Sequence, residues 1–433
     1  DNLDVPVEAN ENFAIRWNTQ GTEDEEYDYS TLGETWSSPR IIRIPDPESG
    51  NLYDDKYVAV LAGGFGTDGK VGSSIFLVDL NDPKVNFGKI YGAIENQGPI
   101  RIADTEQSPV NIANAITGDP VVVTPDTFKG ANWRGAMVYV ADLEGKITKI
   151  NLTNDEGANL YDQTTLFKLN TTLDNGRYMY FGMDAAYGND TKNLWLFGGT
   201  GDFTKISSKR KGTDNILFGI RDRDFPKFVN LNGAQVGTAK DGIDKLLERA
   251  KAGANAAKHV DDINHCENTR GANPNDCPGA KKEAWIYKLD EPNDKTTDTQ
   301  PGTAGRLNKD RKASAMPTVF RGTVYYPIYQ PPEEALCNVG NAYVCSADDE
   351  CGINNSDEID NSAAVVRDES GYDVDTGCYY IQPGILSRLV VFGHTLYGNI
   401  TTDIDAVQMD TLVSLLANEG EISTYRGSWR ENY

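Results

Sequence analysis

Short runs of Val, Ile, Tyr and Phe at period two recur along almost the whole chain, and Gly, Asn, Asp or Pro bound each run. Short alternating runs of β-branched and aromatic residues are typical of strands, and the bounding residues are typical of turns. The sequence therefore predicts an all-β protein. The predicted strands lie in IIRI (41–44), KYVAVLAGG (56–64), SSIFLVDLND (73–82), PVVVTP (120–125), AMVYVADLEGKITKINL (136–152), RYMYFGM (177–183), NLWLFGG (193–199), NILFGIRD (215–222), EAWIYKLD (283–290), PTVFRGTVYYPIY (317–329) and RLVVFGHTLYG (388–398).

Three of these runs are imperfect copies of one phrase: FLVDLND, YVADLEG and IYKLDEP. In each copy the end of a strand is followed by an acid that marks a polar turn. Inexact copies spread over a long chain are typical of the blades of a β-propeller, whose small sheets bury their faces against one another. The sequence predicts a single β-propeller domain over residues 1–433. A pair of sheets packed as a β-sandwich is the alternative.

Two segments interrupt the strand pattern, and we interpret both as insertions. Residues 231–282 combine an amphipathic helix pattern with a first pair of cysteines, and residues 330–380 form a cysteine-rich acidic insertion. Long insertions are common places for recognition. The helix is predicted from apolar residues at i, i+3, i+4 and i+7 and from two candidate caps: Ile243, Leu246, Leu247 and Ala250, with Thr238 or Asp241.

Acidic residues outnumber basic residues by 65 to 41, which gives a formal net charge of −24. This charge repels phosphate backbones and anionic lipids, so the sequence excludes nucleic acid as an expected partner. The sequence predicts neither a membrane-spanning helix nor a signal peptide, because no long apolar stretch occurs. We expect either a cytosolic protein or a mature product from which a targeting segment has been removed.

Cysteine usage favours the second of these expectations. The cysteines lie among Asn, Asp, Gly and Pro, and no CxxC motif occurs, which favours disulfides that link long loops in an oxidising compartment. Cys266 and Cys277 form a natural local pair, although a metal site at Cys266 with His259 and His265 is an alternative. The other four cysteines allow three connectivities. The six residues are Cys266, Cys277, Cys337, Cys345, Cys351 and Cys378.

No recognised catalytic motif is present. The chain has three histidines, and it lacks GxSxG, HExxH and P-loop motifs. The glycine-rich stretch GGTGDF (198–203) follows a predicted strand without opening a helix, so we interpret it as a tight turn. The sequence therefore predicts no catalytic residues and no enzyme activity.

Calcium is the one cofactor that the residues support. A calcium loop needs several oxygen ligands at alternating positions of a short turn. The polar segment between the first two predicted strands offers a partial match, with Asp46, Glu48, Asn51 and Asp54 as candidate ligands. The alternative is an exposed hairpin turn whose acids keep it soluble.

Several phrases, taken in order, resemble the C-terminal propeller domain of PilY1-type proteins, the large tip-associated factors of type IV pili. The phrases cover most of the chain from about residue 35 to its end, and their combination is more specific than any one of them. They are TWSSPRI, AVLAGGFG, FLVDL, ITGDPVVV, VYVADLEGKITKINL, LFGGTGDF, SAMPTVFRGTVYYPIY and GSWRENY.

The resemblance implies a modified seven-bladed β-propeller and export through the periplasm to the cell surface. It further implies assembly with minor pilins at the pilus tip, with roles in pilus extension and in adhesion to a host or surface receptor. Such proteins usually carry a DxDxDGxxD calcium loop after the VVV strand. Here Asp126 is the only acid between that strand and Asp142, so the resemblance implies a lost or moved loop. The large N-terminal part of such proteins is also absent, which fits a processed or partial product.

Three functions follow from these patterns. The first is a non-catalytic pilus-tip protein whose insertions form the binding surface. The second is a quinoprotein-like dehydrogenase, although no two cysteines are adjacent and the six Trp residues have no constant period. The third is a carbohydrate-binding surface propeller, for which aromatic residues near the second insertion would be the contact residues: Tyr343, Tyr372, Tyr379 and Tyr380.

Overall fold

Most of the predicted apolar runs form strands in a computed structural model of the chain, and the chain divides into two compact units. One unit is Asp1–Lys168 with Pro226–Lys258, and the other is Leu169–Phe225 with His259–Tyr433. The single-domain prediction stays a prediction. The structure describes residues 28–49, 51, 54–66, 71–81, 88–92, 98–102, 115–124, 131–155, 157–169, 171–172, 175–206, 213–229, 284–289, 310–332, 339–353, 378–401 and 412–417, with the backbone alone at 265–268 and 372–373.

The described part of the first unit contains two antiparallel sheets. Sheet 1 has the order β1-β2-β3-β4, and β5 also pairs with β3. Its strands are β1 (Arg40–Pro45), β2 (Asp55–Ala62), β3 (Ser74–Asp79), β4 (Ile90–Tyr91) and β5 (Ile100–Arg101). Sheet 2 has the order β6-β7-β8-β9. Its strands are β6 (Val121–Val123), β7 (Gly135–Ala141), β8 (Lys146–Thr153) and β9 (Gln163–Lys168).

Alternation along the strands directs one face of sheet 1 into the core of the first unit. On β1, Ile42 and Ile44 are buried while Ile41 and Arg43 are exposed. Apolar side chains of both sheets share one buried cluster, which includes Val58, Val60, Tyr91, Val138 and Ile150. Full burial of one such side chain stabilises the folded state by about 1.5–3 kcal/mol. This shared core explains why the period-two pattern is strong in these runs.

The described part of the second unit contains three sheets. Sheet 3 has the order β10-β11-β12-β14-β13 and consists of β10 (Asp184–Tyr187), β11 (Leu194–Gly199), β12 (Ile216–Asp222), β13 (His265–Asn268) and β14 (Ala284–Lys288). Sheet 4 consists of β15 (Lys312–Ala313), β16 (Thr318–Phe320), β17 (Thr323–Gln330), β18 (Asn341–Asp348), β19 (Tyr372–Asp373) and β20 (Cys378–Pro383). Sheet 5 consists of β21 (Ile385–Leu386), β22 (Val390–Phe392), β23 (Thr395–Thr401) and β24 (Leu412–Leu416). All pairs are antiparallel except β13 with β14.

Trp285 lies at the centre of the packing between sheets 3 and 4. Its side chain is fully buried, and its ring contacts Phe197 and Tyr326 at centroid distances of 6.3 and 6.2 Å. Gly219 lies opposite Trp285 in the register of β12 and β14. A Cβ atom at Gly219 would lie 2.3 Å from the indole nitrogen, so the glycine inside the NILFGIRD strand leaves space for the indole.

Most of the predicted strands are confirmed, and one is wrong. RYMYFGM (177–183) contains no strand, although Tyr178 and Met179 are buried. Its backbone makes irregular contacts: the Tyr178 amide donates to the Gly176 carbonyl, and the Tyr178 carbonyl accepts from Gly201. Aromatic residues indicate that a segment is buried. Because strands and buried loops are both buried, the aromatic residues at 177–183 do not distinguish a strand from a loop. The predicted helix of the first insertion lies outside the described residues.

Candidate functional site

The turn between β1 and β2 brings the four candidate calcium ligands into one short segment. The Asp46 amide donates to the Asp54 carbonyl at 2.7 Å, which closes the turn. The Asp46 carboxylate accepts the Glu48 amide at 2.9 Å, and the Asp54 carboxylate accepts the Asn51 side-chain amide at 3.3 Å. The side chains of three predicted ligands, Asp46, Asn51 and Asp54, therefore make hydrogen bonds within the turn itself.

The Glu48 carboxylate binds two ammonium groups. It accepts Lys89 at 2.5 Å and Lys56 at 3.0 Å. Burial alone would raise the pKa of Glu48, but hydrogen bonds from Lys89 and Lys56 outweigh burial and lower this pKa below its usual value. Likewise burial would lower the pKa of Lys56, yet the hydrogen bond to Glu48 and the neighbouring carboxylates raise it.

This ion-pair cluster extends into the core of the first unit through Tyr91. The Lys56 ammonium donates to the Tyr91 hydroxyl at 2.9 Å, and that hydroxyl donates to the buried Asp79 carboxylate at 2.5 Å. Burial, together with the hydrogen bond to Asp79, raises the pKa of Tyr91. Asp79 is the acid of the FLVDLND phrase, and it also accepts the Asn81 amide at 2.7 Å. The carboxylate of the FLVDLND phrase therefore accepts hydrogen bonds from both the Asn81 amide of the turn and the buried Tyr91 hydroxyl.

Of the acids at this turn, Glu48 and Asp55 are balanced by specific cations. Asp55, at the start of β2, forms ion pairs with Arg43 and Arg134. The sequence interpretation of an exposed turn whose acids only keep it soluble is incomplete, because Glu48 and Asp55 form ion pairs with lysines and arginines of the first unit. No group of three or more His, Cys, Asp or Glu side chains placed to hold a metal ion occurs among the described residues. Calcium binding at Asp46, Glu48, Asn51 and Asp54 stays untested, and the hydrogen bonds of Asp46 and Glu48 are the reason to expect none at this turn.

The hairpin between β7 and β8 contains the acid of the YVADLEG phrase, Asp142. One oxygen of its carboxylate accepts the Lys146 amide at 2.9 Å, and the other lies 3.5 Å from the Lys146 ammonium. Both side chains are buried, and burial raises the pKa of Asp142 despite the charge of Lys146. Asp142 therefore closes a hairpin turn. Asp126, the only acid between the VVV strand and Asp142, lies outside the described residues.

A disulfide lies at the base of the second insertion. Cys345 on β18 and Cys378 on β20 are bonded, with their Cα atoms 4.4 Å apart and a sequence separation of 33. Both residues are buried in an apolar cluster, which corrects the expectation that the cysteines occupy only polar loops. Cys351 is also disulfide-bonded. The side chains of Cys266, Cys277 and Cys337 lie outside the described residues, as do His259 and the His265 side chain.

The acidic turn after β18 fastens the insertion to sheet 3. The Glu350 carboxylate accepts the backbone amides of Asp190 and Thr191, both at 2.7 Å. The Trp285 indole donates to the Asp349 carbonyl at 2.9 Å. Burial, followed by the charges of Asp348 and Glu350, raises the pKa of Asp349 to about 7. The turn is thus a structural anchor with one carboxyl group that titrates near neutral pH.

The aromatic residues expected to contact carbohydrate are mostly inside the protein. Tyr343 and Tyr379 are buried, and Tyr380 is half-buried against Tyr343 at a centroid distance of 5.4 Å. The side chain of Tyr372 lies outside the described residues. Sequence reasoning missed that β18 is a strand, although the run NAYVCSA has the Tyr and Val content of one. Most of the two predicted insertions, residues 231–282 and 330–380, also lies outside the described residues.

Among the described residues, no helix has both the length and the apolar character needed to span a membrane. The buried disulfide is typical of proteins in the periplasm or the extracellular space.

Comparison with known proteins yields a match in structure alone. No family model matches the chain, and no curated protein matches its sequence. Among solved structures, the C-terminal domain of PilY1 from Pseudomonas aeruginosa matches with a TM-score of 0.50 and 12% sequence identity, over 90% of this chain and 73% of that chain. Strands dominate the described residues, and their small antiparallel sheets agree with this match. The chain therefore has an all-β fold of the β-propeller class, like that of the PilY1 C-terminal domain.

Proposed function

We propose that this chain is a non-catalytic protein of the type IV pilus that acts at the pilus tip on the cell surface. The observation that carries the proposal is the fold shared with the PilY1 C-terminal domain over 90% of the chain. In this role the sheets form a rigid platform, and the two insertions contact minor pilins during pilus assembly and extension. A host or surface receptor is the second class of partner, bound during adhesion.

Two features of the chain support an exported platform. The disulfide between Cys345 and Cys378 joins neighbouring strands at the base of the second insertion, and such bonds persist in oxidising compartments. The Glu350 carboxylate ties the same insertion to the turn between β10 and β11 through two backbone amides. Both features fix the base of a long loop, as a binding surface on a rigid scaffold requires.

Deletion of the gene in a piliated strain tests the proposal. We expect fewer and shorter surface pili, and restoration of normal pili when the native chain is returned. In parallel, the purified full chain is mixed with the soluble domains of the minor pilins of the same strain and separated by size-exclusion chromatography. Co-elution with at least one minor pilin is expected. Normal piliation after deletion, together with separate elution from every minor pilin, would contradict the proposal.

The non-catalytic part of the proposal has its own test. The chain is purified without added cofactor and its absorption spectrum is recorded. We expect the spectrum of the aromatic residues alone. A retained chromophore that turns over on addition of an alcohol or a sugar would favour a quinoprotein-like dehydrogenase instead.

A further inference from the structure

The ammonium group of Lys146 is buried beside the hairpin turn between β7 and β8 without a hydrogen bond. Its side chain is 1% exposed, and its Nζ atom has no hydrogen-bond partner among the described residues. Its ion-pair partner is Oδ2 of Asp142 at 3.5 Å, which is longer than the roughly 2.7–3.2 Å of an N–H···O hydrogen bond. That oxygen is also buried and makes no hydrogen bond within the described part of the chain. We call Asp142 and Lys146 the hairpin pair.

Other buried lysines of the chain do make hydrogen bonds. Nζ of Lys149 donates to the Lys227 carbonyl at 2.8 Å, and Nζ of Lys312 donates to the Asp202 carbonyl at 3.2 Å. Burial of an ion pair is costly unless hydrogen bonds satisfy its remaining donors and lone pairs. An ion pair alone is therefore a poor explanation of the hairpin pair, and buried polar atoms without partners call for a specific one.

The backbone of the hairpin holds the two side chains of the hairpin pair together. Ala141 lies opposite Ile147 in the register of β7 and β8, so Asp142 and Lys146 are the next residues to face each other. The Asp142 amide donates to the Lys146 carbonyl at 3.1 Å, and the Gly145 amide donates to the Asp142 carbonyl at 2.8 Å. Cross-strand partners point to the same side of a sheet. Such a fixed arrangement gives the two groups a very high effective concentration toward each other.

A second lysine, Lys168 on β9, lies opposite Lys146 in the register of β8 and β9. Burial, followed by the charge of Lys146, lowers the pKa of Lys168. Like charges directly opposite each other destabilise a sheet. A neutral bond between Asp142 and Lys146 would remove two buried charges and would remove this repulsion at the same time.

These contacts define a site for a covalent cross-link within the chain. We propose that Nζ of Lys146 and Cγ of Asp142 are joined by an amide bond, an isopeptide cross-link across the hairpin between β7 and β8. The bond replaces an ammonium and a carboxylate by one neutral amide. Burial of a neutral amide costs far less free energy than burial of two ions. The proposal does not depend on the pilus assignment.

The cross-link forms by condensation, and its atoms balance without another reactant. A proton passes from the Lys146 ammonium to the Asp142 carboxylate, which leaves a neutral amine beside a neutral acid. Burial raises the pKa of Asp142 and so favours that acid. The lone pair of Nζ then forms a bond to Cγ, the bond from Cγ to the hydroxyl oxygen breaks, and the hydroxyl leaves with one amine proton as water. Exclusion of solvent from the pair protects the amide from hydrolysis.

Tryptic peptide mapping of the purified native chain, after reduction and denaturation, tests the inference. Trypsin does not cleave after a lysine whose side chain is acylated. We therefore expect one peptide of residues 135–149, lighter than its sequence mass by one water, and no peptide of residues 135–146. Fragmentation of the linked peptide should give no backbone fragments from within residues 142–146, because the cross-link holds that ring together.

Two variants separate the cross-link from other effects on digestion. Lys146→Arg removes the amine and keeps the positive charge, so trypsin should release residues 135–146 without any loss of water. Lys168→Arg is the matched control, because it changes the neighbouring lysine and leaves the hairpin pair intact. This variant should keep the linked peptide.

Lys56 is a control within the native chain itself. Its ammonium lies 3.7 Å from the buried Asp79 carboxylate, but it donates hydrogen bonds to Glu48 and to the Tyr91 hydroxyl. We expect no cross-link there, so cleavage after Lys56 should be complete.

A native chain that yields residues 135–146 at full mass would overturn the proposal. Loss of one water with normal cleavage after Lys146 would also overturn it, because that result indicates a succinimide at Asp142 instead of a cross-link. The native chain alone gives these outcomes, so they hold even if Lys146→Arg fails to fold. Neither outcome affects the pilus proposal, since piliation and minor-pilin binding are measured separately.

Discussion

The carboxylate of Glu48 lies 2.5 Å from the ammonium nitrogen of Lys89, although 41 positions separate the two residues in the chain. Glu48 also accepts a hydrogen bond from Lys56. The side chains of Lys56 and Lys89 are 15% and 10% exposed, and the Lys56 ammonium also lies 3.7 Å from the buried Asp79 carboxylate. Glu48 and Asp79 therefore share the neutralisation of this cluster. The acidic turn between β1 and β2 is therefore part of the stability of sheet 1.

Glu48→Gln should destabilise the chain by about 1 kcal/mol at neutral pH, because Lys56 and Lys89 lose a carboxylate partner whose side chain is 41% exposed and therefore partly screened by solvent. The pKa of Glu48 is lowered in the folded chain. Its contribution is therefore fully present above the ordinary glutamate pKa of 4.5 and is lost as the pH falls below that value. Urea unfolding at neutral and acidic pH measures both effects.

Asp54→Asn, at an exposed carboxylate bound to an amide, is the control and should cost less than about 0.5 kcal/mol. Equal stability of Glu48→Gln and the native chain at neutral pH would contradict this account.

Calcium titration should give no binding heat that depends on this turn. Glu48 is held by two lysines, and the Asp46 carboxylate accepts a backbone amide, so neither is free to converge on a cation without breaking these bonds. Isothermal titration compares the native chain with Asp54→Ala, and we expect equal heats. A binding heat that is lost in Asp54→Ala would show a calcium site at Asp46, Glu48, Asn51 and Asp54.

Removal of the disulfide by the double substitution Cys345→Ala and Cys378→Ala should destabilise the chain by about 3–4 kcal/mol. The estimate follows from the sequence separation of 33 that the bond closes. Guanidinium unfolding without reductant measures the change. Peptide mapping of the native chain under non-reducing conditions should recover the two cysteines in one linked pair of peptides. Unlinked peptides, or a variant as stable as the native chain, would contradict the structure.

The pH dependence of stability should change when Asp349 is replaced. Its folded pKa is about 7, above the ordinary carboxyl value of 3.8. A carboxyl group with a raised pKa favours the folded state at low pH, and this contribution is lost as the pH rises from about 4 to about 7. Asp349→Asn stays neutral, so its stability relative to the native chain should increase over that range.

The gain in Asp349→Asn at about pH 8 should be on the order of 1–2 kcal/mol. One pKa unit corresponds to about 1.4 kcal/mol, and the partial solvent contact of this side chain reduces the full value. Chemical unfolding at several pH values between these limits measures the gain. A constant difference between Asp349→Asn and the native chain over this range would contradict the assigned titration.

The first three strands of sheet 1 were predictable from sequence, and along β1 and β2 the alternation reflects burial directly, whereas β4 and β5 lie in none of the predicted runs. Val58, Val60 and Ala62 are buried in turn along β2, and each copy of the repeated phrase that the structure describes ends in an acid that binds a backbone amide, Asp79 or Asp142. Strand alternation and turn hydrogen bonds involve residues close in sequence, so both can be predicted from a short stretch of the chain.

Features that depend on strand register could not be predicted. Glu48 meets Lys89 because β4 pairs with β3 and β3 pairs with β2, an order that no local pattern encodes. Cys345 and Cys378 meet because β18 and β20 are neighbours across a long insertion, and sequence spacing left three connectivities open. Phe392 is 78% exposed, although it lies in a run that alternates like the other strands. Alternation alone does not show which face of sheet 5 is covered by another sheet.

Immunogold labelling of the native chain on intact piliated cells tests the central claim most directly. The account predicts gold particles at the ends of surface filaments, and their loss in a strain lacking the gene. Labelling confined to the cytosol, or spread over the cell surface without any filament ends, would contradict it.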